Sequence, residues 1–145
     1  MFKHILLPTD GTELSEKAMD QGIRLAKSVG AKVTGLSVVV SLPGCCYHAR
    51  ISHAALEEAE RQSQAAAESY LREVRKKAKD AGIECEVVLE KDGAPFKTII
   101  RVAEQRGCDL ILMASHGQKG IEGVLLGSET QKVLTHSKIP VLVVR

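Results

Sequence analysis

The chain has 145 residues, 44% of them apolar, and a formal net charge of +2 with acidic and basic side chains mixed along its length. That is the size of one domain, 1–145, with enough aliphatic material for a core that needs no staples. Two Phe, two Tyr and no Trp offer too few stacking platforms for single-stranded nucleic acid, and so small a net charge argues against a charge-driven nucleic-acid or membrane-surface role.

Met1-Phe2-Lys3-His4 leads straight into an apolar run, without the basic, apolar and small-residue regions of a leader. No run approaches bilayer length, so a cytoplasmic location is expected. His4–Pro8 reads as a buried strand halted by the turn Thr9-Asp10-Gly11. Leu14, Ala18, Ile23, Leu25, Ala26 and Val29 then recur near helical spacing up to the stop at Gly30. The β-branched run Lys32 to Val40 predicts a parallel strand covered on both faces.

Ser41 to Ser52 is irregular and carries Pro43-Gly44 and the pair Cys45-Cys46. A long helix is predicted from about Ala54 to Ala81, closed by Gly82, with Leu56, Ala59, Ala66, Ala67, Tyr70, Leu71, Val74 and Ala78 as its buried stripe. Ile83, Cys85, Val87 and Leu89 alternate as a third strand toward one sheet edge. Pro95 opens another helix that ends at Gly107. Asp109 to Ala114 is a fourth strand, Ser115 to Leu126 a glycine-dotted loop, Gly127-Ser128 the start of the last helix, and Pro140 to Val144 the last strand.

This βαβαβαβαβ order predicts a doubly wound, five-stranded parallel sheet with helices on both faces, a Rossmann-like α/β fold. Ligands of such sheets bind beyond the carboxyl ends of the strands, where strand order reverses. The turn Thr9-Asp10-Gly11, the end of the second strand near Val38, and the loop from Ala114 onward are the candidate walls. In that loop Gly117, Gly120 and Gly123 allow backbone N–H groups to face a phosphate, and Gly127-Ser128 supplies a helix N-terminus and a hydroxyl. The alternative is a loop with a capped helix and no ligand. Asp10 is suited to a ribose or an adenine amine, and equally to an Asx turn or cap before Thr12 and Ser15. There is no Gly-Lys-Ser/Thr, and no Gly-x-Gly-x-x-Gly follows the first strand, so P-loop and dinucleotide readings fail.

Three segments together resemble the universal stress proteins over essentially the whole chain. They are His4-Ile5-Leu6-Leu7-Pro8-Thr9-Asp10-Gly11; Leu110-Ile111-Leu112-Met113 with Ser115-His116-Gly117, nine residues and Gly127-Ser128; and Ser137-Lys138-Ile139-Pro140-Val141-Leu142-Val143-Val144. The resemblance implies an adenine nucleotide alpha hydrolase-like fold that binds ATP. Asp10 and the backbone near Val38 would hold adenine and ribose; Pro8, Thr9 and Met113 would line the pocket. Gly117, Gly127, Ser128 and Thr130 would take the phosphates, with His116 and Glu129 beside them, and a Mg2+ ion could accompany the phosphates. The family pattern has glycine where this chain has Ala114. A homodimer through the last strand, an unidentified protein partner and a stress-response or signalling role are also implied. A slow ATPase or nucleotidyl-transfer enzyme and a nucleotide-free dimeric scaffold remain as alternatives, and no residue stands out as a general base.

The four cysteines do not read as a disulfide framework. Cys85 and Cys108 are expected to pack as small apolar residues. Cys45-Cys46-Tyr47-His48 with His53 lacks the separated pairs of a zinc site and fits a lid or partner role better, with redox sensing as a further option. His116 and Lys119, polar neighbours with no assigned role, are expected to be solvated and not essential, and the basic run from Arg72 to Lys79 is likewise expected to be solvated.

Overall fold

The structure, a computed structural model, describes residues 1–41, 52–117 and 125–145. Strands and helices alternate as β1 (His4–Pro8), α1 (Glu13–Val29), β2 (Lys32–Val40), α2 (His53–Ala81), β3 (Cys85–Asp92), α3 (Pro95–Arg106), β4 (Leu110–Ala114), α4 (Ser128–His136) and β5 (Val141–Val144). All neighbouring strands run parallel in the order β3-β2-β1-β4-β5. The Rossmann-like, doubly wound architecture follows, with its switch point between β1 and β4.

Strand alternation builds two cores from one sheet. Ile5 and Leu7 of β1, with Leu110 and Leu112 of β4, meet Ala18, Ile23 and Ala26 of α1 and Val74 and Ala78 of α2. Leu6, Leu36, Ile111 and Met113 point the other way, against Ile99 and Val102 of α3 and Val133 of α4. With both faces covered, β1 and β4 are buried almost throughout, as near-continuous aliphatic runs require.

Helices α1, α2 and α3 end at Gly30, Gly82 and Gly107, the glycines predicted as stops. The predicted stripe of α2 needs correction at Ala59, which is exposed. Within that N-terminal part, Leu56 is buried and Ala59 is not; the rest of the stripe begins at Ala66, half-buried, and Ala67. Strand β3 starts two residues later than Ile83 and runs on to Asp92, pairing with β2 along its length. It lies at one edge, as predicted. Cys108 is buried, and burial with the neighbouring Asp109 charge pushes its thiol up to about 11. Cys85 is half-buried and likewise raised by burial. Neither is a reactive thiolate, in keeping with a packing role.

His4 is a buried histidine at the opposite end of the sheet from the strand ends that form the site. Only 5% exposed, it sets Nε2 2.7 Å from Thr34 Oγ1, while its backbone N–H donates to Asp109 Oδ1 at 3.0 Å. Burial lowers its pKa below the ordinary 6.5, Lys32 lowers it further, and Glu86 and Asp109 partly oppose the shift. An unfolded chain therefore takes up this proton first as pH falls. The stability contributed by neutral His4 is fully present above pH 6.5 and is lost below it, until the folded state also protonates. Melting temperatures measured between pH 8 and pH 5 are expected to fall more in the natural chain than in His4→Gln, which keeps an amide toward Thr34 and does not titrate. Parallel curves would remove His4 from the acid response.

Candidate functional site

At the switch point, β1 hands the chain to α1 on one face and β4 leads to α4 on the other, so the two following loops diverge and open a crevice. It is a cavity of about 720 Å³, within the range of small-molecule sites. The turn after β1 brings Pro8, Thr9 and Asp10 to its wall; β2 brings Val38. The end of β4 supplies Met113 and Ala114, the loop supplies His116 and Gly117, and the start of α4 supplies Gly127, Ser128, Glu129 and Thr130. All twelve sequence-predicted site residues thus open on one space.

Asp10 makes the predicted turn and also stands at the cavity wall. Its Oδ1 accepts from Thr12 N at 3.1 Å and from Thr12 Oγ1 at 2.7 Å, an Asx turn. Thr12 in turn caps α1, its Oγ1 accepting from Ser15 N at 3.2 Å. The other oxygen, Oδ2, lies at the cavity wall, 2.4 Å from where a Cβ on Gly117 would stand. The turn needs glycine at Gly11: φ is +76°, and a Cβ there would lie 2.2 Å from ring atoms of Tyr70.

The far wall is set by close backbone approach. Gly127 N donates to Ser115 O at 2.7 Å, and a Cβ on Gly127 would meet His116 Cα at 3.1 Å. Gly127 therefore lets the first turn of α4 lie directly on the chain that leaves β4. Thr130, nearly buried, donates its hydroxyl to Ala114 O at 3.0 Å, tying α4 to β4. Its hydroxyl is committed to the protein. Glu129 also has partners: Oε2 accepts from Phe96 N at 2.9 Å and Oε1 pairs with Lys132 Nζ at 3.1 Å.

Helix ends differ around this crevice. Thr12 caps α1 and Ser52 caps α2. Ala94 gives α3 no side-chain cap, and Glu129 serves in its place. Gly127, at the start of α4, offers no capping side chain, and among the described residues no side chain caps this helix. Its first-turn amides and the positive end of the helix face the cavity, the arrangement that attracts anions.

Sequence reasoning missed the wall supplied by α2. Ser63, Ala66, Ala67 and Tyr70 line the cavity; their i, i+3, i+4, i+7 spacing marks a shared helix face but does not tell cavity from core. Ser37 of β2 and Ile99 of α3 also line the cavity. Cys45, Cys46, Tyr47, His48, Lys119, Gly120 and Gly123, singled out in the sequence, lie outside the described residues. Among the described residues, no group of three or more His, Cys, Asp or Glu could hold a metal ion.

The pattern that defines the universal stress protein family matches residues 1–145. The chain belongs to the universal stress protein family. Universal stress protein MJ0531 of Methanocaldococcus jannaschii is 33% identical, over all of this chain and 83% of that protein. Among solved structures, MJ0577 of the same organism is 28% identical with a TM-score of 0.83, over 99% of this chain and 96% of the other. A universal stress protein crystallised in complex with cAMP is 26% identical with a TM-score of 0.72, over 99% of this chain and 97% of the other. By the motif resemblance given above, Ala114 would stand where the family pattern has its first glycine. No described non-glycine residue has a positive φ, and Ala114 sits in β4 paired with Val144. Its angles are ordinary for a strand, so a methyl group is accommodated there.

Proposed function

We propose that this universal stress protein, as one domain over 1–145, binds ATP in the switch-point cavity and serves as a cytoplasmic stress-response or signalling module. The reading is carried by one observation: the start of α4, uncapped by any side chain among the described residues, opens onto the cavity that also gathers Asp10 and the loop glycine Gly117. The anionic tail would lie against Gly117, Gly127 and Ser128. Asp10 and the backbone near Val38 would hold ribose and adenine, with Met113 packed on the nucleoside. The relative crystallised with cAMP supports an adenine nucleotide as the ligand class. A Mg2+ ion would travel on the phosphates, since Glu129 is engaged by Phe96 and Lys132 and Asp10 is the other carboxylate at the wall.

Dimerisation through β5 belongs to the same proposal. This strand closes one edge of the sheet, and Leu142 on it and Leu134 nearby in sequence on α4 are 40% and 41% exposed. An uncovered apolar edge favours a partner strand. No described helix is long and apolar enough to cross a membrane.

Calorimetric titration with ATP tests the proposal: saturable binding at or below millimolar ATP is expected, and no heat at that concentration overturns it. In the same assay Ala114→Gly should bind ATP as well as the natural chain or better, while losing about 0.5–1 kcal/mol of stability because glycine weakens a strand. A tenfold loss of affinity in that variant would show that the loop engages its ligand differently.

A further inference from the structure

Ser115 and His116 form a pair that the proposed site does not yet use. Ser115 is 0% exposed and takes no part in the cavity wall, whereas His116 does. Ser115 Oγ lies 2.7 Å from His116 Nδ1, which makes Nδ1 the inner nitrogen of the ring. The Ser115 backbone is already spent: its N–H donates to Val144 O at 2.8 Å and its carbonyl accepts from Gly127 N at 2.7 Å.

A neutral imidazole carries one N–H, and the partner of one nitrogen decides which nitrogen holds it. A buried hydroxyl hydrogen left unshared is costly. Among the described residues the acceptor for the Ser115 hydroxyl is His116 Nδ1. Ser115 therefore donates, Nδ1 accepts, and the proton of the neutral ring sits on Nε2, the nitrogen turned from Ser115. A protonated ring would present the same outer N–H. In either state the outer edge of His116 is a donor, with no lone pair for attack or proton abstraction.

Position selects the acceptor. The position of a Cβ on Gly127 is 3.1 Å from His116 Cα and 3.3 Å from its Cβ, so the imidazole leaves the chain beside the first turn of α4, where an anion is drawn. The geometry points to His116 Nε2–H as a hydrogen-bond donor to a phosphoryl oxygen of the bound nucleotide, with Ser115 as the residue that fixes its tautomer. This inference rests on the nucleotide reading above and adds to it a residue that binds phosphate and does not catalyse.

The experiment titrates ATP, ADP, AMP and adenosine into the natural chain, His116→Asn, His116→Gln and Ser115→Ala. Glutamine places an amide N–H near the Nε2 position, and asparagine reaches only as far as Nδ1. His116→Asn is expected to weaken ATP by about tenfold or more, the scale of one charge-assisted hydrogen bond, with adenosine within about twofold; His116→Gln should recover most of the loss. The ADP and AMP values then locate the phosphoryl group. Equal losses for ATP and adenosine, or no loss for ATP, overturn the inference while leaving the site standing. If the natural chain binds no adenine nucleotide, the function reading fails and this inference with it. Nitrogen-15 spectra of the neutral His116 ring give a ligand-free check. The proton is expected on Nε2 in the natural chain and shared between nitrogens in Ser115→Ala, and a proton on Nδ1 in the natural chain would overturn the assignment of Ser115 as donor.

Discussion

Gly127→Val is expected to lose ATP binding by about 100-fold or more while the chain stays folded. The glycine is required here by proximity, since φ is −67° and any residue adopts that angle. What a side chain meets is His116 Cα at 3.1 Å and Ser115 O at 3.3 Å. Both belong to the segment leaving β4, and the Ser115 carbonyl is already accepting from Gly127 N at 2.7 Å. A branched side chain has to push the start of α4 away from that segment. Two hydrogen bonds to a charged phosphate lost at about 1.5 kcal/mol each amount to roughly 3 kcal/mol, or about 100-fold in affinity. Calorimetry with ATP checks the affinity, and circular dichroism shows whether the helices survive. Affinity within tenfold of the natural chain would mean that the start of α4 does not hold the ligand.

The second large effect falls on stability. Gly22 lies in the middle of α1, where a Cβ would stand 2.3 Å from Leu7 Cδ2 and 3.3 Å from Cδ1. Leu7 is on β1 and is fully buried, so its side chain has nowhere to turn. The glycine lets α1 lie close on the strand pair β1 and β4, the same use of glycine that brings helix and strand together in other doubly wound sheets. Gly22→Val is expected to cost about 3 kcal/mol by overpacking. For a chain of this length that lowers the melting temperature by roughly 10 °C. Gly22→Ala, which asks for less room, should fall between the two. Equal melting temperatures for all three would show that α1 can lift from the sheet at little cost.

The fold was legible because its central strands are dictated by composition. Ile5–Leu7 and Leu110–Ala114 are uninterrupted apolar runs, the pattern of a strand covered on both faces. The helix stops were legible because Gly30, Gly82 and Gly107 follow the last apolar position of each periodic stretch. Ala59 departs from the predicted stripe although Leu56, three residues before it, is buried, and spacing alone does not separate the two. The strand-end and loop residues of the crevice could be named from local motifs, since turn, strand end and helix start are sequence signals. The α2 wall could not. Tyr70 and Ala66 sit on the same stripe as the buried residues Leu71 and Val74, and only the path of α2 past the strand ends separates cavity from core. Glu129 shows a different limit, because its partner Phe96 lies 33 residues away on another helix and no periodicity links them.

That carboxylate has a consequence for the electrostatics of the crevice. An acidic side chain in the second position of a helix would ordinarily repel an anion at that helix's start. Here one oxygen takes the amide at the head of α3 and the other takes the ammonium of Lys132. Its negative charge is balanced by a second helix dipole and a lysine before any ligand arrives, so α4 keeps the pull of its own positive pole.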